Sequence, residues 1–397
     1  MITRRTMVAG VAGTLLVGDF LERGGQATAA EAAQPDLIAL PDKKPLVKRT
    51  YRPPNYETPL ADLRSQFTAN DAFFVRYHLA NIPEVDARTW RLRVGGESAS
   101  SAQEWSLQDL QRGFEKVSIA AINQCSGNRR GLFTPRVPGV QWENGAIGNA
   151  TWTGVRLRDV LQKAGVAPNA LEVVFDGADT PLLPGTPDFV KSLPIERALD
   201  ENTLIAFEMN GRPLPHWNGA PARLVVPGWT ATYWVKHLTD VRVVPTAFDG
   251  FWMKSAYRVP TNAFPGARFQ SQERPDTTPI TEILVNSLVT SHISGAQLAR
   301  GKSTALRGWA WDNGAGIAKV EVSQDGGRTW KAATLDRDLG RFAWRGFTWP
   351  IDTTRPGAVS VAVRATSRSG LQQAEKLTPN PSGYHHNLIQ TLQLVVV

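Results

Sequence analysis

The stretch Ala120 to Phe133, AAINQCSGNRRGLF, holds Cys125, the single cysteine of the chain, with Arg129 and Arg130 close behind it. A free cysteine can be a small buried hydrophobe. It can also be a thiolate, the form that neighbouring cations stabilise. Ser-Gly-Asn-Arg-Arg reads as a polar turn rather than a core segment. That context favours the thiolate and leaves open what it binds or attacks.

Three further segments carry side chains suited to a site. In FFVRYHLANIP, Arg76 and His78 are two apart, and on a strand that spacing turns both to one face. Either alone could be a satisfied surface residue; together they suggest a site. GFWMKSAYRVP puts Tyr257 in a loop before the expected domain junction, where clefts form. Taken singly, it reads as a packed aromatic with a bonded hydroxyl. PARLVVPGWTATYWVKHL brings Arg223 into an apolar strand, then a turn at Gly228 rich in hydroxyls and amides, then Lys236. Such a set can cradle a phosphate. Asp179, in DGADTPLL, can cap a turn or join the same site.

The elements that must hold these residues can be read from apolar periodicity. The chain has 397 residues, more than one hydrophobic core usually serves, which predicts two domains. SLQDLQRGF predicts a short helix capped by Ser106, and VRLRDVLQKAG a helix burying Leu157, Val160, Leu161 and Ala164 before Gly165. LEVVFDG and ARLVVPG read as buried strands. Beyond about residue 268 the pattern changes to strands recurring every ten residues or so, with an Asp-Gly-Gly turn at Asp325 to Gly327. The predicted fold class is α+β: a mixed domain over 56–268, then an all-β immunoglobulin-like sandwich over 269–397 serving assembly. Residues 31–55 are rich in Pro and Lys and predict an extended arm over the surface.

Residues 1–30 have the form of an export signal: Arg4 and Arg5, a short apolar run from Met7 to Gly18, and small residues at Ala27 to Ala30. The paired arginines suggest the twin-arginine route, which carries folded proteins to the periplasm. A retained membrane anchor is the alternative. Otherwise no apolar run predicts a span. The net charge of +8 is spread diffusely, without the basic cluster of a nucleic-acid interface. One cysteine excludes an intramolecular disulfide, a Cys-rich zinc or iron–sulfur site and a covalent C-x-x-C-H haem.

In combination, FFVRYHL, INQCSGNRR, EMNGRPLP, RLVVPG, WVKHL and VSQDGGRTW, in that family's order, resemble the sulfite oxidase family of molybdenum enzymes, in particular its exported bacterial sulfite dehydrogenases. The resemblance covers nearly all of the chain after the leader. It implies a single molybdopterin with Cys125 as the one protein ligand of molybdenum, the pterin supplying the other sulfurs. It further implies sulfite binding by Arg76 and Arg130, proton transfer assisted by Tyr257, and a place among the catalytic residues for His78. Trp142 would wall the pocket, while Arg129 would turn to structural ion pairing or to the cofactor. The implied cofactor residues are Phe74, Val75, Arg76, Tyr77, His78, Asp179, Asn218, Arg223, Trp234, Val235 and Lys236. Asn218 stands where several relatives have histidine. Ala315 stands about where animal relatives bring an arginine from the sandwich to the anion pocket. The implied reaction is oxidation of sulfite to sulfate by oxygen-atom transfer. Electrons would pass to a separate c-type cytochrome, as subunit or transient acceptor, with a homodimer through the sandwich as the other possible assembly. The same cofactor could instead act on another sulfur compound, a sulfoxide or nitrate. A non-catalytic exported binding module is the rival of a different class.

Overall fold

The computed structural model describes residues 36–397; the leader and the first residues of the arm lie outside them. The fold is mostly β with few, short helices, and the longest helix among the described residues is Leu157–Ala164. Its apolar face is buried as the sequence predicts: Leu157, Val160, Leu161 and Ala164 are all fully enclosed. The three larger side chains together contribute roughly 5–9 kcal/mol by area bookkeeping. Gly165 ends the helix with a positive φ of 73°. The preceding helix, Leu107–Gly113, starts on a capping box in which Ser106 and Asp109 satisfy each other's backbone amides.

Two sheets build the first domain. One runs in the order Lys191–Pro194, Glu172–Gly177, Leu238–Val244, Arg91–Gly95, Gln103–Ser106. The other runs Arg212–Pro213, Leu204–Met209, Ile147–Arg156, Lys116–Gln124, with Arg223–Val225 also paired to Leu204–Met209. A continuous apolar core containing Trp152, Phe175, Ile205 and Trp234 joins them.

The arm is more than a surface covering. Leu37–Ala39, Pro45–Thr50 and Asn55–Glu57 form an antiparallel sheet whose last strand is Val75–Arg76. The chain before the site is thereby hydrogen-bonded to the strand that carries Arg76.

The second domain is a sandwich of a four-stranded and a five-stranded sheet around Leu306, Val320, Val361, Val363 and Leu394. Between the domains lies a separate cluster in which Trp309, Trp311 and Trp344 pack on Leu63, Ile122 and Ile147. The Trp311 indole donates to Gln124 Oε1 at 2.7 Å, and Trp344 donates to the Gln66 carbonyl at 2.7 Å. Buried indoles need such partners. Here their acceptors lie in the other domain, one of them on the residue before Cys125.

Candidate active site

Cys125 follows directly on the strand Lys116–Gln124. Strand alternation sends Gln124 to the sandwich and leaves Asn123 and Cys125 on the opposite face, where both line a narrow cavity. The turn after Cys125 is closed by Asn128 N donating to Cys125 O and Arg130 N donating to Gly127 O, each at 2.9 Å. Arg129 takes a left-handed conformation, φ 68°, so the two adjacent arginines diverge.

Arg129 is structural. Its guanidinium, 2% exposed, donates to Asn144 Oδ1 at 2.9 Å, Asn286 Oδ1 at 2.7 Å and the Ser287 carbonyl at 2.7 Å. The expected ion pairing is replaced by neutral acceptors, two of them in the sandwich. Burial pulls this guanidinium down to about 10, still charged at neutral pH.

Arg130 turns into a second cavity, lined also by Arg76, Cys125, Trp252, Tyr257 and Tyr384. It donates to the Ser382 carbonyl at 2.7 Å and the Val140 carbonyl at 3.1 Å. Its guanidinium lies flat against Gly127, where an added Cβ would sit 2.5 Å from Nη1, and near Gly139, where the distance would be 3.0 Å. The slot therefore admits no side chain at Gly127 unless the guanidinium moves.

The first cavity is lined by Phe74, Arg76, Tyr77, His78, Asp179, Asn218, Arg223, Trp234 and Lys236, all expected from the sequence. Val75 and Val235 are not part of it: Val75 packs with Leu46, Tyr56 and Tyr77, and Val235 lies in the main core. Trp142 lines neither cavity; it packs edge-on behind Phe74, with ring centroids 6.5 Å apart. Ala315 also lines neither. The sandwich reaches the anion cavity through Pro381, Ser382 and Tyr384 instead. Of the turn after Gly228, Ala231 and Thr232 reach the first cavity, while Gly228 itself does not, because a Cβ there would meet the Asn313 carbonyl at 2.2 Å. That glycine allows the two domains to approach. Residues the sequence reading passed over include Asn123, Ser126, Phe189, Trp217 and Thr232 in the first cavity and Val140, Trp252, Ser382 and Tyr384 in the second.

Tyr257 joins the cavities. Its backbone is left-handed, φ 56°, an unfavourable state for a bulky residue and one that recurs at functional sites. Its hydroxyl meets His78 Nε2 in a short hydrogen bond and accepts from Arg76 Nη2 at 3.4 Å. His78 stacks on Phe189 at 3.6 Å between centroids. Burial, reinforced by Arg76, Lys236 and Lys191, holds its imidazole well below the ordinary value, so it is neutral and Nε2 can accept the Tyr257 proton. Burial raises the Tyr257 phenol, which keeps that proton.

Charge in the first cavity is one-sided. Arg76, Arg223 and Lys236 face a single carboxylate, Asp179. Lys236 donates to the Arg76 carbonyl at 2.8 Å and lies over the Tyr77 ring. Burial and nearby Arg223 press its ammonium well below the usual lysine range. Burial also raises Asp179 to about 6. Three buried polar atoms on this lining lack any partner: Asn123 Nδ2, Ser126 Oγ and Thr232 Oγ1. Orphaned buried groups are rare in native proteins and point to a ligand. An anionic, hydrogen-bonding molecule meeting a thiol would satisfy both the excess cations and the orphans, and a phosphorylated pterin carrying a soft metal fits that donor set. Among the described residues no group of three or more His, Cys, Asp or Glu could hold a metal ion by itself.

Known proteins agree with this geometry. Residues 78–252 match the oxidoreductase molybdopterin binding domain, and residues 277–394 match the Mo-co oxidoreductase dimerisation domain. Sulfite oxidase of Gallus gallus is 36% identical over 340 residues, covering 82% of this chain and 72% of its own. The chain belongs to the sulfite oxidase family. As a member it is a molybdopterin oxidoreductase with a binding domain followed by a dimerisation domain. Mitochondrial sulfite oxidase of Homo sapiens is 35% identical over 327 residues; the match covers 80% of this chain and 58% of the human protein, so the chain spans less than two thirds of that relative. The crystal structure of the sulfane dehydrogenase SoxCD from Paracoccus pantotrophus aligns with a TM-score of 0.73 over 94% of this chain and 93% of that one, at 24% identity, which is a likeness of fold. No helix among the described residues is long and apolar enough to cross a membrane.

Proposed function

We propose that this sulfite oxidase family member oxidises sulfite to sulfate and passes the electrons to a separate c-type cytochrome. One observation carries the reading: Cys125, Arg76 and Tyr257 line both the cation-rich slot and the Arg130 cavity, so the thiol stands where a bound cofactor and a small anion would meet. Identity of 35–36% to sulfite oxidases of animals supports the choice of anion.

Cys125 would ligate molybdenum, while Arg223, Lys236 and the orphaned Asn123, Ser126 and Thr232 groups would hold the pterin and its phosphate. When bound, the molybdenum–pterin group supplies two-electron oxygen-atom transfer chemistry. The chain itself binds and orients the substrate. Arg130 is fixed by the Ser382 and Val140 carbonyls and so presents its guanidinium with little freedom left to lose. Arg76 adds a second cation on the same cavity. Tyr257, protonated and held between His78 and Arg76, shares its one proton with His78 Nε2 and can pass it to the anion on leaving that bond. Burial of Phe74, Trp234 and Phe189 keeps the slot largely dry, which strengthens each of these polar contacts.

The same reading includes export of the folded chain to the periplasm on its twin-arginine leader, and pairing of two chains through the sandwich. The test is an assay of purified, molybdenum-quantified protein against sulfite, nitrate and a sulfoxide, with ferricyanide and cytochrome c as acceptors. Sulfite-dependent cytochrome c reduction is expected. Turnover of nitrate or sulfoxide in its place would assign a different substrate, and a protein without stoichiometric molybdenum would reject the enzymatic reading.

A further inference from the structure

The anion cavity takes one aromatic residue from the sandwich, Tyr384, to which neither the sequence motifs nor the family match gives a role. Its place is fixed tightly. Asn380 Nδ2 donates to the Tyr384 carbonyl and Tyr384 N donates back to Asn380 Oδ1, both at 2.9 Å. The ring stacks on that of Tyr257, with centroids 5.5 Å apart and planes 13° from parallel. On the same ring lies the Arg130 guanidinium, its carbon 5.2 Å from the centroid. Tyr384 is 7% exposed, and its only hydrogen bonds among the described residues are through its backbone. Its hydroxyl bonds no protein group among the described residues and is not among the buried atoms without a partner, so it is open to a ligand rather than sealed in the core. The phenol lines a cavity beside a guanidinium with nitrogen left to bind an anion.

We infer that Tyr384 is a specificity-determining residue: its hydroxyl donates a hydrogen bond to the oxyanion that Arg130 holds, and its ring keeps Arg130 in line with Tyr257. The inference rests on the reading of this cavity as an oxyanion site, and it deepens that reading by tying anion selection to the sandwich. A hydroxyl donor with two cations favours a small, highly charged oxyanion over a neutral sulfoxide, which cannot accept at several oxygens. The ring has a separate duty. It occupies one face of the guanidinium, as Gly127 occupies another, and so limits where the charge can lie.

Two substitutions separate these duties in the holoenzyme, each checked for unchanged molybdenum content. Tyr384→Phe removes only the hydroxyl. It is expected to raise KM for sulfite about fivefold to tenfold with kcat within about twofold, and to weaken sulfate binding measured by calorimetry by the same factor. Tyr384→Leu removes the ring as well and is expected to lose more of both. Equal sulfate affinity in the parent and the Phe variant overturns the inference, whether or not sulfite is turned over. A parent that binds sulfate more tightly than the Phe variant yet fails to oxidise sulfite would uphold Tyr384 as an anion donor and reject the proposed reaction.

Discussion

Arg129 and Arg130 are adjacent in the chain, yet their side chains do opposite things: Arg129 seals the domain junction on Asn286 and Ser287, and Arg130 faces the anion cavity. The left-handed backbone at Arg129 makes the divergence possible. Arg130→Met is therefore expected to raise KM for sulfite more than tenfold, a loss on the order of 1.4 kcal/mol or larger, with Tm near that of the parent. Arg129→Met should instead unfold the protein early, because the Ser287 carbonyl and the half-buried Asn144 Oδ1 lose this donor, while Asn286 Oδ1 keeps Gln373 Nε2 and Ser287 N. Each orphan costs about 1–3 kcal/mol. Kinetics and thermal unfolding of the two variants, run side by side, check this. A KM effect at Arg129 with unchanged stability would reverse the assignment.

Gly127→Ala tests the slot without touching a charge. Gly127 has no positive φ, so alanine is tolerated by the backbone, and the nearest atoms to its Cβ belong to the end of the Arg130 side chain at 2.5–2.6 Å. The guanidinium must move while the fold need not. A rise in KM of about tenfold with a small change in Tm is expected. Kinetics equal to the parent would mean that the position of Arg130 is immaterial to substrate binding.

Much of the site was legible because charged and phenolic residues stand out in apolar surroundings. Cys125, Arg76, His78, Tyr257, Arg223 and Lys236 are all found on the two cavities. Alternation could have refined part of the rest. Val75 begins the strand Val75–Arg76, so period-two geometry turns it away from the face that Arg76 shows the cavity. Val235 follows the short helical turn Ala231–Tyr233, outside any strand, and alternation does not reach it. Asn123, in step with Cys125, was available by the same rule. Ser126 carried no signal of its own, and Thr232 only that of the hydroxyl-rich turn after Gly228; orphaned burial is what marks them. The contribution of the sandwich was misplaced at Ala315 because the loop that reaches the cavity, near Tyr384, has no recognisable spacing to Arg130; 252 positions separate Arg130 from Ser382.

Replacing Cys125 by alanine is expected to lower molybdenum content and reduce sulfite oxidation by at least about a hundredfold, since no other side chain here offers a soft ligand. Stability should change little, because alanine fills most of the same buried space. Metal analysis and the cytochrome c assay on one preparation decide it. A variant that keeps its metal and consumes sulfite at the parent's rate would leave the thiol without a role.

Asp176, which lines neither cavity, gives a test of stability. It sits opposite Asp240 across the pair of strands Glu172–Gly177 and Leu238–Val244, and its Oδ1 has no partner. Burial, and after it Asp188, raises its carboxyl to about 7 from an ordinary value of 3.8. The folded chain thus keeps this proton to higher pH than the unfolded chain. Its contribution is present in full below about pH 4 and is lost as pH rises through about 7. Above that, an unpaired carboxylate remains beside other acids, destabilising the sheet. Asp176→Asn keeps the shape and removes the charge, so its Tm should match the parent's near the acid end and exceed it by several degrees at about pH 8. Thermal unfolding across that range measures the difference. A gap that is constant with pH would show that Asp176 does not titrate in the folded protein as its surroundings require.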